Sequence, residues 1–533
     1  MDERKTEQAG DLGRSQKSFL ILIMSEIPYY LKINRAADLK NPRERIIYRI
    51  FEMFPGALSW LTIFLAILLS WLKPVWMSFF IICFVIYWMF RAVYFSFHLQ
   101  ASYKRMKMNE KIDWIEKLSQ LKSKNWRDIY QLVVLPMYKE PLEIVRESFN
   151  SLSASDWPKD QMIVVLSCEE EGAVETAKKI ESEFGDRFFK FLLVFHPKNL
   201  PGEIAGKGAN ETWGARKAKE LVVDPFKIPY ENIIFSSFDI DSCVFPKYFS
   251  CLGYYYLTVT KPTRCSFQPI PLFVNNVWQA PPISRIFSFS ASFWEMMCQE
   301  REEKMLTFSS HSMSFRALVD VDFRQVNVVS DDSRIFWQCL LRYDGDYRVV
   351  PLYYPISMDA NVAPTFLKTM KNVYLQQRRW AYGAGDIPYF LFGFLKNKKI
   401  ALSKKFSLGF NIVESCWSWA TVSILIFLLG FLPIILGGDA FRQTLLSYKL
   451  PIFTRNILTV GMIGLIGSAF FSILLLPPKP PELGKRKYLI LILEWFLLPV
   501  IMIFFTSMPA LEAQTRWMLG KYLGFWPTPK IRT

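Results

Sequence analysis

The sequence predicts an α/β domain with a mostly parallel sheet, flanked by transmembrane α-helices. Three observations predict this fold class. Hydrophobic residues make up 51% and aromatic residues 16% of the 533 residues, more than ordinary globular domains contain, and they are concentrated at the two ends. Between the ends, short apolar runs alternate with amphipathic segments. Basic residues stand beside the apolar runs, at Lys104-Arg105, Lys396 to Lys405 and Lys485 to Lys487, as in cytoplasmic loops next to membrane helices.

The N-terminal segment, residues 1–50, is expected to be cytoplasmic. Its beginning is polar, and the run Ser18 to Ile33 that follows is apolar but too short to span a bilayer. Glu26 and Pro28 also interrupt this run. We therefore expect an interfacial helix here. The run lacks the small-residue cleavage pattern of a secretory signal.

Residues 51–100 are predicted to form two transmembrane helices. The runs Gly56 to Leu72 and Val75 to Phe90 each approach the ~20 apolar residues that a membrane helix needs. Lys73-Pro74 predicts a tight turn between them. The basic stretch Tyr103 to Lys111 follows the second run, which places both ends of the pair in the cytoplasm.

Three further apolar runs lie in residues 407–508, and they predict about three more spans. These runs are Ile412 to Leu436, Leu458 to Leu476 and Tyr488 to Thr506. Together the runs predict a multi-pass protein of the cell membrane, in contact with the lipid bilayer, whose middle region is cytoplasmic. Residues 509–533 are expected to form a C-terminal interfacial segment.

Residues 125–390 have the pattern of a soluble α/β domain. Short apolar runs predict buried strands, and the segments between them have helical spacing of apolar residues. The predicted strands are Leu132 to Leu135, Met162 to Leu166, Phe191 to Phe195 and Ile233 to Phe238, and the predicted helices are Pro141 to Leu152 and Ala173 to Glu183. In a parallel sheet of this kind, ligands bind outside the carboxyl ends of the strands.

Composition disfavours several classes of function. The net charge of +16 would suit a nucleic-acid partner, but the basic residues gather beside apolar runs and no nucleic-acid-reading motif is present, so no nucleic acid is expected. The 8 cysteines form no CxxC pair and are interpreted as buried, reduced thiols. With 3 histidines, a histidine triad or metal cluster has little material.

Asp239 and Asp241 form the strongest single candidate site. They follow the predicted strand Ile233 to Phe238, and the two-residue period of a strand points both carboxylates the same way. Two adjacent carboxylates favour a hard cation, Mg²⁺ or Mn²⁺, carrying a diphosphate. Roughly one such Asp-x-Asp is expected by chance, however, and the chain has two more, so the neighbouring motifs decide its interpretation.

Three loops after predicted strands or between them are candidates for donor binding. Pro136 to Glu140 suits a loop around a nucleotide base, or is an ordinary strand-to-helix turn. The acidic cluster Ser167 to Glu171 offers acceptors to a base or ribose, or is a first helical turn favoured by the helix dipole. Gly202 to Asn210 lets the backbone approach a ligand, with Lys207 placed to meet phosphate.

Two later segments complete the candidate site. Val329 to Asp332 places acidic residues after an apolar pair, so Asp332 is either a general base or a helix N-terminal residue. On a helix, Gln376, Arg379 and Trp380 share one face by their three- and four-residue spacing. Arginine binds phosphate in a bidentate manner, and the indole offers a flat face for a sugar.

Together these residues resemble the family 2 glycosyltransferases, in particular the processive membrane branch that includes cellulose and hyaluronan synthases. The resemblance covers roughly Gln131 to Gly385. Its most specific motifs are DxD, at Asp239 and Asp241, and QxxRW, at Gln376, Arg379 and Trp380. It implies a GT-A-type nucleotide-sugar-binding domain.

The resemblance also implies roles for single residues. Asp332 matches the last residue of the TED-type motif, here Ser-Asp-Asp, and would be the catalytic base. Glu169 or Glu170 falls near an acidic position used around uracil, where Asp is more usual. The donor-binding residues are then expected to be Pro136, Tyr138, Glu140, Glu169, Lys207, Asp239, Gln376 and Arg379, with Asn210 in the same GK-containing segment as Lys207 and Trp380 on the acceptor.

The C-terminal sequence Phe525 to Lys530 looks like the FxVTxK gating loop of cellulose synthases, with Phe525, Thr528 and Lys530 matching and Pro527 in place of Val. A gating loop must be cytoplasmic, whereas three full spans after a cytoplasmic domain would leave it outside. Either one apolar run does not cross the membrane, or a further span lies near Ile387 to Leu395 or Phe441 to Phe453.

The resulting hypothesis is an inverting, metal-dependent hexosyltransferase that moves sugar from a nucleotide-sugar donor, a UDP-sugar by resemblance, to a growing polysaccharide. Its cofactor would be Mg²⁺ or Mn²⁺. A closely related alternative is transfer of one sugar to a lipid acceptor. The rival from another class is a membrane transporter or scaffold with a nucleotide-binding domain, which the scarcity of ionisable residues in the spans, chiefly Glu414 and Glu494, disfavours.

Overall fold

The structure, a computed structural model, describes residues 27–122, 125–170, 172–484 and 486–532. Its eight strands form one sheet. They are β1 Tyr130–Met137, β2 Met162–Glu169, β3 Lys190–His196, β4 Ile233–Ser237, β5 Cys243–Val244, β6 Cys265–Leu272, β7 His311–Ser314 and β8 Arg348–Ser357. The order across the sheet is β3-β2-β1-β4-β7-β6-β8-β5. The pairs β1–β2, β1–β4, β2–β3 and β6–β8 are parallel and the others antiparallel, so the predicted mostly parallel α/β sheet is confirmed.

The α-helices lie around this sheet or in a bundle beside it. They are α1 Pro42–Leu72, α2 Pro74–Lys111, α3 Trp114–Ser119, α4 Leu142–Ala154, α5 Val174–Phe184, α6 Lys207–Ala218, α7 Tyr248–Thr258, α8 Pro282–Gln299, α9 Phe315–Asp320, α10 Asp331–Arg342, α11 Phe366–Ala381, α12 Asp386–Lys396, α13 Leu402–Ile424, α14 Leu432–Leu436, α15 Gly438–Arg442, α16 Leu445–Leu474, α17 Arg486–Glu494, α18 Leu498–Ile501 and α19 Met508–Leu519.

The apolar run of β1 explains why helices cover both faces of the sheet. Leu132 and Val134 pack into one hydrophobic cluster with α6 and α10. Val133 and Leu135 pack into another cluster with α4 and α7. Successive side chains of a strand point to opposite faces, so a continuously apolar strand has to be buried on both sides.

The parallel strands also determine where the motif loops meet. β1, β2 and β4 are parallel neighbours, so their carboxyl ends lie at the same edge of the sheet. The chain leaves them at Met137, Glu169 and Ser237. The candidate loops and the Asp239/Asp241 pair therefore share one edge, where open α/β sheets bind ligands.

Within the described residues, five helices are long and apolar enough to cross a membrane. They are Pro42–Leu72, Pro74–Lys111, Leu402–Leu429, Leu445–Leu474 and Arg486–Leu519. The first two are separated by Lys73 alone, in agreement with the predicted tight turn, because proline at the first helical position ends the preceding helix and starts the next. α16 packs along α2, and α19 packs along α1.

The segment Arg486–Leu519 begins and ends on the side of the sheet domain. Near its start, Glu494 forms an ion pair of 2.6 Å with Arg285 of α8, and α8 packs on β6. Near its end, the Trp517 indole donates to the Tyr382 carbonyl at 3.1 Å. These contacts favour the alternative in which one of the predicted runs does not cross the membrane.

The middle of the same segment lies deeper in the helix bundle. The Ser423 hydroxyl of α13 donates to the Met502 carbonyl at 2.9 Å. Pro499 lies in the short α18 and a π-helical turn follows at Met502–Ser507, and such irregular turns bend a helix. α12, at one of the two places where a further span was considered, has Ile387 and Phe390 fully buried in the sheet domain and is no span.

The predicted interfacial helix Ser18 to Ile33 lies outside the described residues up to residue 26. From Ile27 to Ile33 the chain forms a single 3₁₀ turn, Tyr29–Leu31, and no α-helix. Leu31 is 1% exposed and belongs to the core beneath the sheet. This part of the run is apolar because it packs on the soluble domain.

Candidate active site

One cavity of about 1140 Å³ lies at the carboxyl edge of the sheet and continues into the helix bundle. All of the residues proposed for the site from the sequence line it. They are Pro136, Tyr138, Glu140, Glu169, Lys207, Asn210, Asp239, Asp241, Asp332, Gln376, Arg379, Trp380, Phe525, Thr528 and Lys530. Residues far apart in the chain, from the loop after β1 to the C-terminus, thus share one space.

Asp239 is held by a cation and a hydroxyl. Its Oδ1 lies 2.9 Å from the Nζ of Lys207, at the start of α6. Its Oδ2 accepts a hydrogen bond from the hydroxyl of Ser309. Burial alone would raise the pKa of Asp239, but the Lys207 and Lys530 ammonium groups and the Ser309 hydrogen bond together outweigh burial and hold that pKa well below its usual range. Ser309 has a positive φ of 47°, a strained conformation for a residue with a side chain.

Asp241 is fully buried and only half satisfied. Its Oδ2 accepts from the Lys530 ammonium at 2.7 Å and from the Asp359 backbone N–H at 2.9 Å. Its Oδ1 is buried without a hydrogen-bond partner. Such an atom is normally paired with a bound ion or ligand, so the pair Asp239 and Asp241 fits a divalent cation. No group of three or more His, Cys, Asp or Glu in the described part of the chain could hold a metal alone, so the remaining ligands would come from a bound diphosphate.

Asp332 lies at the N-terminus of α10, where the helix dipole favours its charge. Its Oδ1 is 3.0 Å from the Lys207 Nζ and 3.1 Å from a guanidinium nitrogen of Arg324. Lys207 therefore joins Asp239 to Asp332. Arg324 is 2% exposed and also binds Glu211 at 2.8 Å and Asp331 at 2.9 Å.

Two acidic groups behind Asp332, Asp331 and Glu211, have raised pKa values. Burial raises the pKa of Asp331 to about 6, and it raises the pKa of Glu211 to about 7, against the opposing effect of Arg324. Asp331 also packs closely against the start of α6, since a Cβ on Gly208 would lie 2.7 Å from the Cβ of Asp331. Asp331 is therefore built into the wall, whereas Asp332 presents a side chain that is 24% exposed.

The ends of β2 and β3 carry a histidine held between two carboxylates. Glu169 and His196 are register partners, and the His196 Nδ1 lies 3.1 Å from the Glu169 Oε2. The His196 Nε2 lies 3.0 Å from the Glu203 Oε2. Burial lowers the pKa of His196, but its hydrogen bonds to both carboxylates outweigh burial and raise it. The Glu169 Oε1 is buried without a partner and lines the cavity, free to accept from an N–H group.

The first candidate loop is fixed by its own side chain. The Tyr138 backbone N–H donates to Glu140 Oε2 at 2.7 Å, which turns the chain sharply after β1. Burial raises the pKa of Glu140 above its ordinary value. Asn210 of α6 ties the neighbouring strand ends together, since its amide donates to the Ser167 carbonyl at 2.9 Å.

α11 carries the QxxRW residues on the cavity wall. Gln376 is buried and accepts from the Asn361 amide at 3.2 Å. The Arg379 guanidinium lies 5.0 Å from the centroid of the Phe525 ring, and its Nε is buried without a hydrogen-bond partner. The Trp380 ring packs on the rings of Phe273, Phe287 and Phe308 with centroid separations of 6.0, 5.4 and 5.3 Å.

The C-terminal segment lies across this cavity, on the same side as the sheet domain. Phe525 packs so closely on Gly206 that a Cβ there would lie 2.5 Å from its ring. Further on, Lys530 binds Asp241, and the Arg532 guanidinium binds Asp359 at 2.6 Å. The sequence predicted an interfacial position for the C-terminal segment. Its last residues lie across the cavity instead, where ion pairs hold them to the site.

Sequence reasoning missed four polar residues of the site: Ser309, Arg324, Asp359 and His196. The first three lie in segments with no motif, and only the folded chain brings them to Asp239, Asp332 and Asp241. His196 had a usable signal, because it ends β3 as Glu169 ends β2.

No protein-family model matches this chain, and no curated protein matches it in sequence. In structure it is similar to the mannosyltransferase PcManGT from Pyrobaculum calidifontis in complex with GDP-Man and Mn²⁺, at 14% identity, over 73% of this chain and 99% of that chain, with a TM-score of 0.37. It is also similar to residues 1–349 of S. aureus TarS in complex with UDP-GlcNAc, at 12% identity, over 64% of this chain and 92% of that chain, with a TM-score of 0.36.

Proposed function

We propose that this protein is a membrane-bound inverting glycosyltransferase that moves sugar from a nucleotide-sugar, a UDP-sugar by the family resemblance, to a growing polysaccharide. The observation that carries the proposal is the position of Lys207. Its ammonium lies 2.9 Å from Asp239 and 3.0 Å from Asp332, in a cavity that Trp380 also lines. A cation-and-diphosphate site, a base and an aromatic face for a sugar are thus adjacent.

The donor would lie with its diphosphate beside Asp239 and Asp241. A bound Mg²⁺ or Mn²⁺ at these carboxylates would supply charge stabilisation for the diphosphate leaving group. Lys207 and Arg379 offer positive charge to the same oxygens. The Lys207 ammonium is shared between two carboxylates, so a diphosphate would draw it away from Asp332 and leave that carboxylate freer to accept a proton.

The base of the donor would lie against the ends of β1 and β2. Tyr138 and Pro136 offer apolar surface, and the unpartnered Oε1 of Glu169 accepts from a ring N–H. This acceptor suits uracil, which carries such a donor, and thereby agrees with the role that the resemblance implies for Glu169.

Asp332 would act as general base in a single displacement. Its carboxylate takes the proton of an acceptor hydroxyl, and the hydroxyl oxygen forms a bond to the anomeric carbon of the donor sugar. The bond from that carbon to the diphosphate oxygen breaks at the same time, and its electron pair leaves with the nucleoside diphosphate. One displacement inverts the anomeric configuration. Trp380 would hold the acceptor sugar.

The product would leave through the part of the cavity that enters the helix bundle. Beyond Trp380, the walls come from α8, α13 and the segment Arg486–Leu519. The sheet domain would then lie in the cytoplasm and the cavity would lead into the bilayer. A passage of this kind favours a growing polysaccharide as the product over a small product that is released to water.

The first test is UDP release by the purified protein from a panel of UDP-sugars, with Mn²⁺ or Mg²⁺ and with EDTA. The expected result is that the protein releases UDP from one of these UDP-sugars. EDTA should abolish this release, and Asp241→Ala should not release UDP. Asp346→Ala is a matched control, because it belongs to another Asp-x-Asp whose side chain is 52% exposed in surface ion pairs. Tight UDP-sugar binding without turnover would favour the transporter or scaffold alternative. Turnover in Asp241→Ala would argue against the metal site. A ladder or polymer identifies the polysaccharide product, whereas a single labelled glycolipid identifies transfer to lipid.

A further inference from the structure

The helix α8 lines the cavity with one face along most of its length. Phe287, Ala291, Trp294, Glu295 and Cys298 line the cavity, and their three- and four-residue spacing places them in one stripe. Phe287 is the member nearest the proposed acceptor position, since its ring centroid lies 5.4 Å from that of Trp380. The stripe therefore runs along the cavity wall away from Trp380.

Glu295 is the unusual member of this stripe. It is 8% exposed and has no hydrogen-bond or ion-pair partner among the described residues. Burial raises the pKa of Glu295 to about 8, so near neutral pH most of this carboxyl is protonated. A buried polar group without a partner destabilises a fold, which points to a ligand that completes its hydrogen bonds.

The charges on the neighbouring elements do not complete it. Arg91 of α2 forms an ion pair with Glu414 of α13, and Lys304 lies in the loop after α8. The pKa of Lys304 is lowered, first by burial and then by Arg91. Arg91 is thus neutralised by Glu414 and not by Glu295. A protonated carboxyl both donates and accepts a hydrogen bond, so the chemistry of Glu295 fits hydroxyl groups.

The position of Glu295 sets the length of that ligand. Glu295 follows Phe287 by eight residues, or about 12 Å along a helix that rises 1.5 Å per residue. A single sugar held at Trp380 does not span this distance, whereas a chain of several sugars does. We propose that Glu295, with the Trp294 ring beside it on α8, forms a second sugar-binding subsite that takes hydroxyl groups of an acceptor chain several units back from its growing end. This proposal rests on the proposed function and deepens it, because it makes the acceptor an oligosaccharide or polysaccharide.

The test compares Glu295→Gln and Glu295→Leu in the full-length protein. Glutamine keeps a donor and an acceptor and should retain the subsite, whereas leucine should abolish it. With labelled donor, Glu295→Leu is expected to shorten the product several-fold while the donor KM stays unchanged. Glu302→Gln, an exposed change just beyond the end of α8, is the matched control. Product lengths in Glu295→Leu equal to those of the wild type would overturn the subsite.

A binding measurement separates this proposal from the proposed function. Neutral hexasaccharides, cellohexaose and chitohexaose, and the monosaccharides glucose and N-acetylglucosamine are added to the protein without donor, and the melting temperature is measured. At least one hexasaccharide is expected to raise the melting temperature of the wild type and of Glu295→Gln but not of Glu295→Leu, and the monosaccharides are expected to have no effect. If UDP release fails while this pattern holds, the transferase is wrong and the subsite stands. If UDP release occurs and no hexasaccharide shifts the melting temperature, the subsite is wrong.

Discussion

The ammonium group of Lys530 lies 2.7 Å from the Oδ2 of Asp241. The two residues are almost three hundred positions apart in the sequence, since Asp241 follows β4 and Lys530 is in the C-terminal segment. Burial lowers the pKa of Lys530, but Asp241 and then Asp239 outweigh burial and raise it. The lysine thus stands as the cation of the carboxylate pair to which we assign Mg²⁺ or Mn²⁺. A divalent cation at the unpartnered Oδ1 would therefore share the Asp241 carboxylate with the ammonium group on Oδ2, and the two positive charges would repel each other.

This repulsion predicts that Lys530→Ala binds Mn²⁺ more tightly than the wild type. Removing a buried ammonium beside Asp241 removes a repulsive charge from the approaching ion, and a change of about 1.4 kcal/mol already raises affinity tenfold. We expect at least that increase, measured by electron paramagnetic resonance of free Mn²⁺ without any donor. Lys521→Ala, which alters an exposed lysine in the same segment, should leave the affinity unchanged. Equal Mn²⁺ affinity in Lys530→Ala and wild type would show that the segment does not control the site.

The proposed base predicts a loss of turnover without loss of donor binding. Asp332→Asn keeps the size of the side chain but cannot accept the acceptor proton, so kcat should fall by about 10²- to 10⁴-fold. UDP affinity should persist, because Lys207 and Arg379 still face the diphosphate. The measurements are kcat from UDP release and the dissociation constant of UDP by calorimetry. Normal turnover in this variant would remove Asp332 from the mechanism, and Asp346→Asn controls for a general effect of losing a carboxylate.

The strand ends show how much of this site the sequence could predict. β1, β2 and β4 are apolar runs buried on both faces, and their periodicity located Tyr138, Glu169 and Asp239 at one edge. The alternation with helices then required parallel pairing. Local pattern was sufficient here because each of these residues directly follows a strand whose position the pattern determines.

Arg324 shows where such prediction ends. It lies in a turn after α9 with no motif around it, yet it is 2% exposed and binds Glu211, Asp331 and Asp332. Its role depends on α6, α10 and its own turn meeting in space, which no local period encodes. The last apolar run shows a second limit. Its length and composition suit a membrane span, and only the folded chain shows the Glu494–Arg285 ion pair and the Trp517–Tyr382 hydrogen bond that connect it to the sheet domain.

The contacts of His196 with Glu169 and Glu203, called the His196 clamp here, predict that donor affinity depends on pH. Both ring nitrogens face carboxylates, Glu169 on β2 and Glu203 in the loop before α6, and the ring of Trp213 on α6 packs beside the imidazole. Since the pKa of His196 is raised, the clamp is complete below the ordinary histidine pKa of about 6.5 and is lost as pH rises through the raised value. UDP affinity should fall over that alkaline window, because Glu169 then loses the partner that orients it.

The variants for this prediction are His196→Gln and His98→Gln. Glutamine cannot titrate, so His196→Gln should bind UDP more weakly and with no pH dependence between pH 6 and 8.5. His98 is half-buried on α2 and contacts Tyr94 of the same helix, remote from the site residues, and its substitution should leave the profile of the wild type. A pH profile that is unchanged in His196→Gln would assign the dependence to another group.

The contacts of the last helical segment predict the side on which the C-terminus lies. α14 lies beside the turn between α1 and α2, as a Cβ on Gly437 would be 2.8 Å from the Pro74 Cβ, so the α13–α16 connection is remote from the sheet domain. Both ends of Arg486–Leu519 contact that domain instead. Hence Glu482→Cys and Lys521→Cys should react with a membrane-impermeant maleimide from one face of sealed vesicles, and Asp439→Cys from the other. Cys83, exposed on α2, is first replaced by serine. If Lys521→Cys were labelled from the same face as Asp439→Cys, the segment Arg486–Leu519 would cross the membrane. Lys530 in the C-terminal segment could then not reach Asp241.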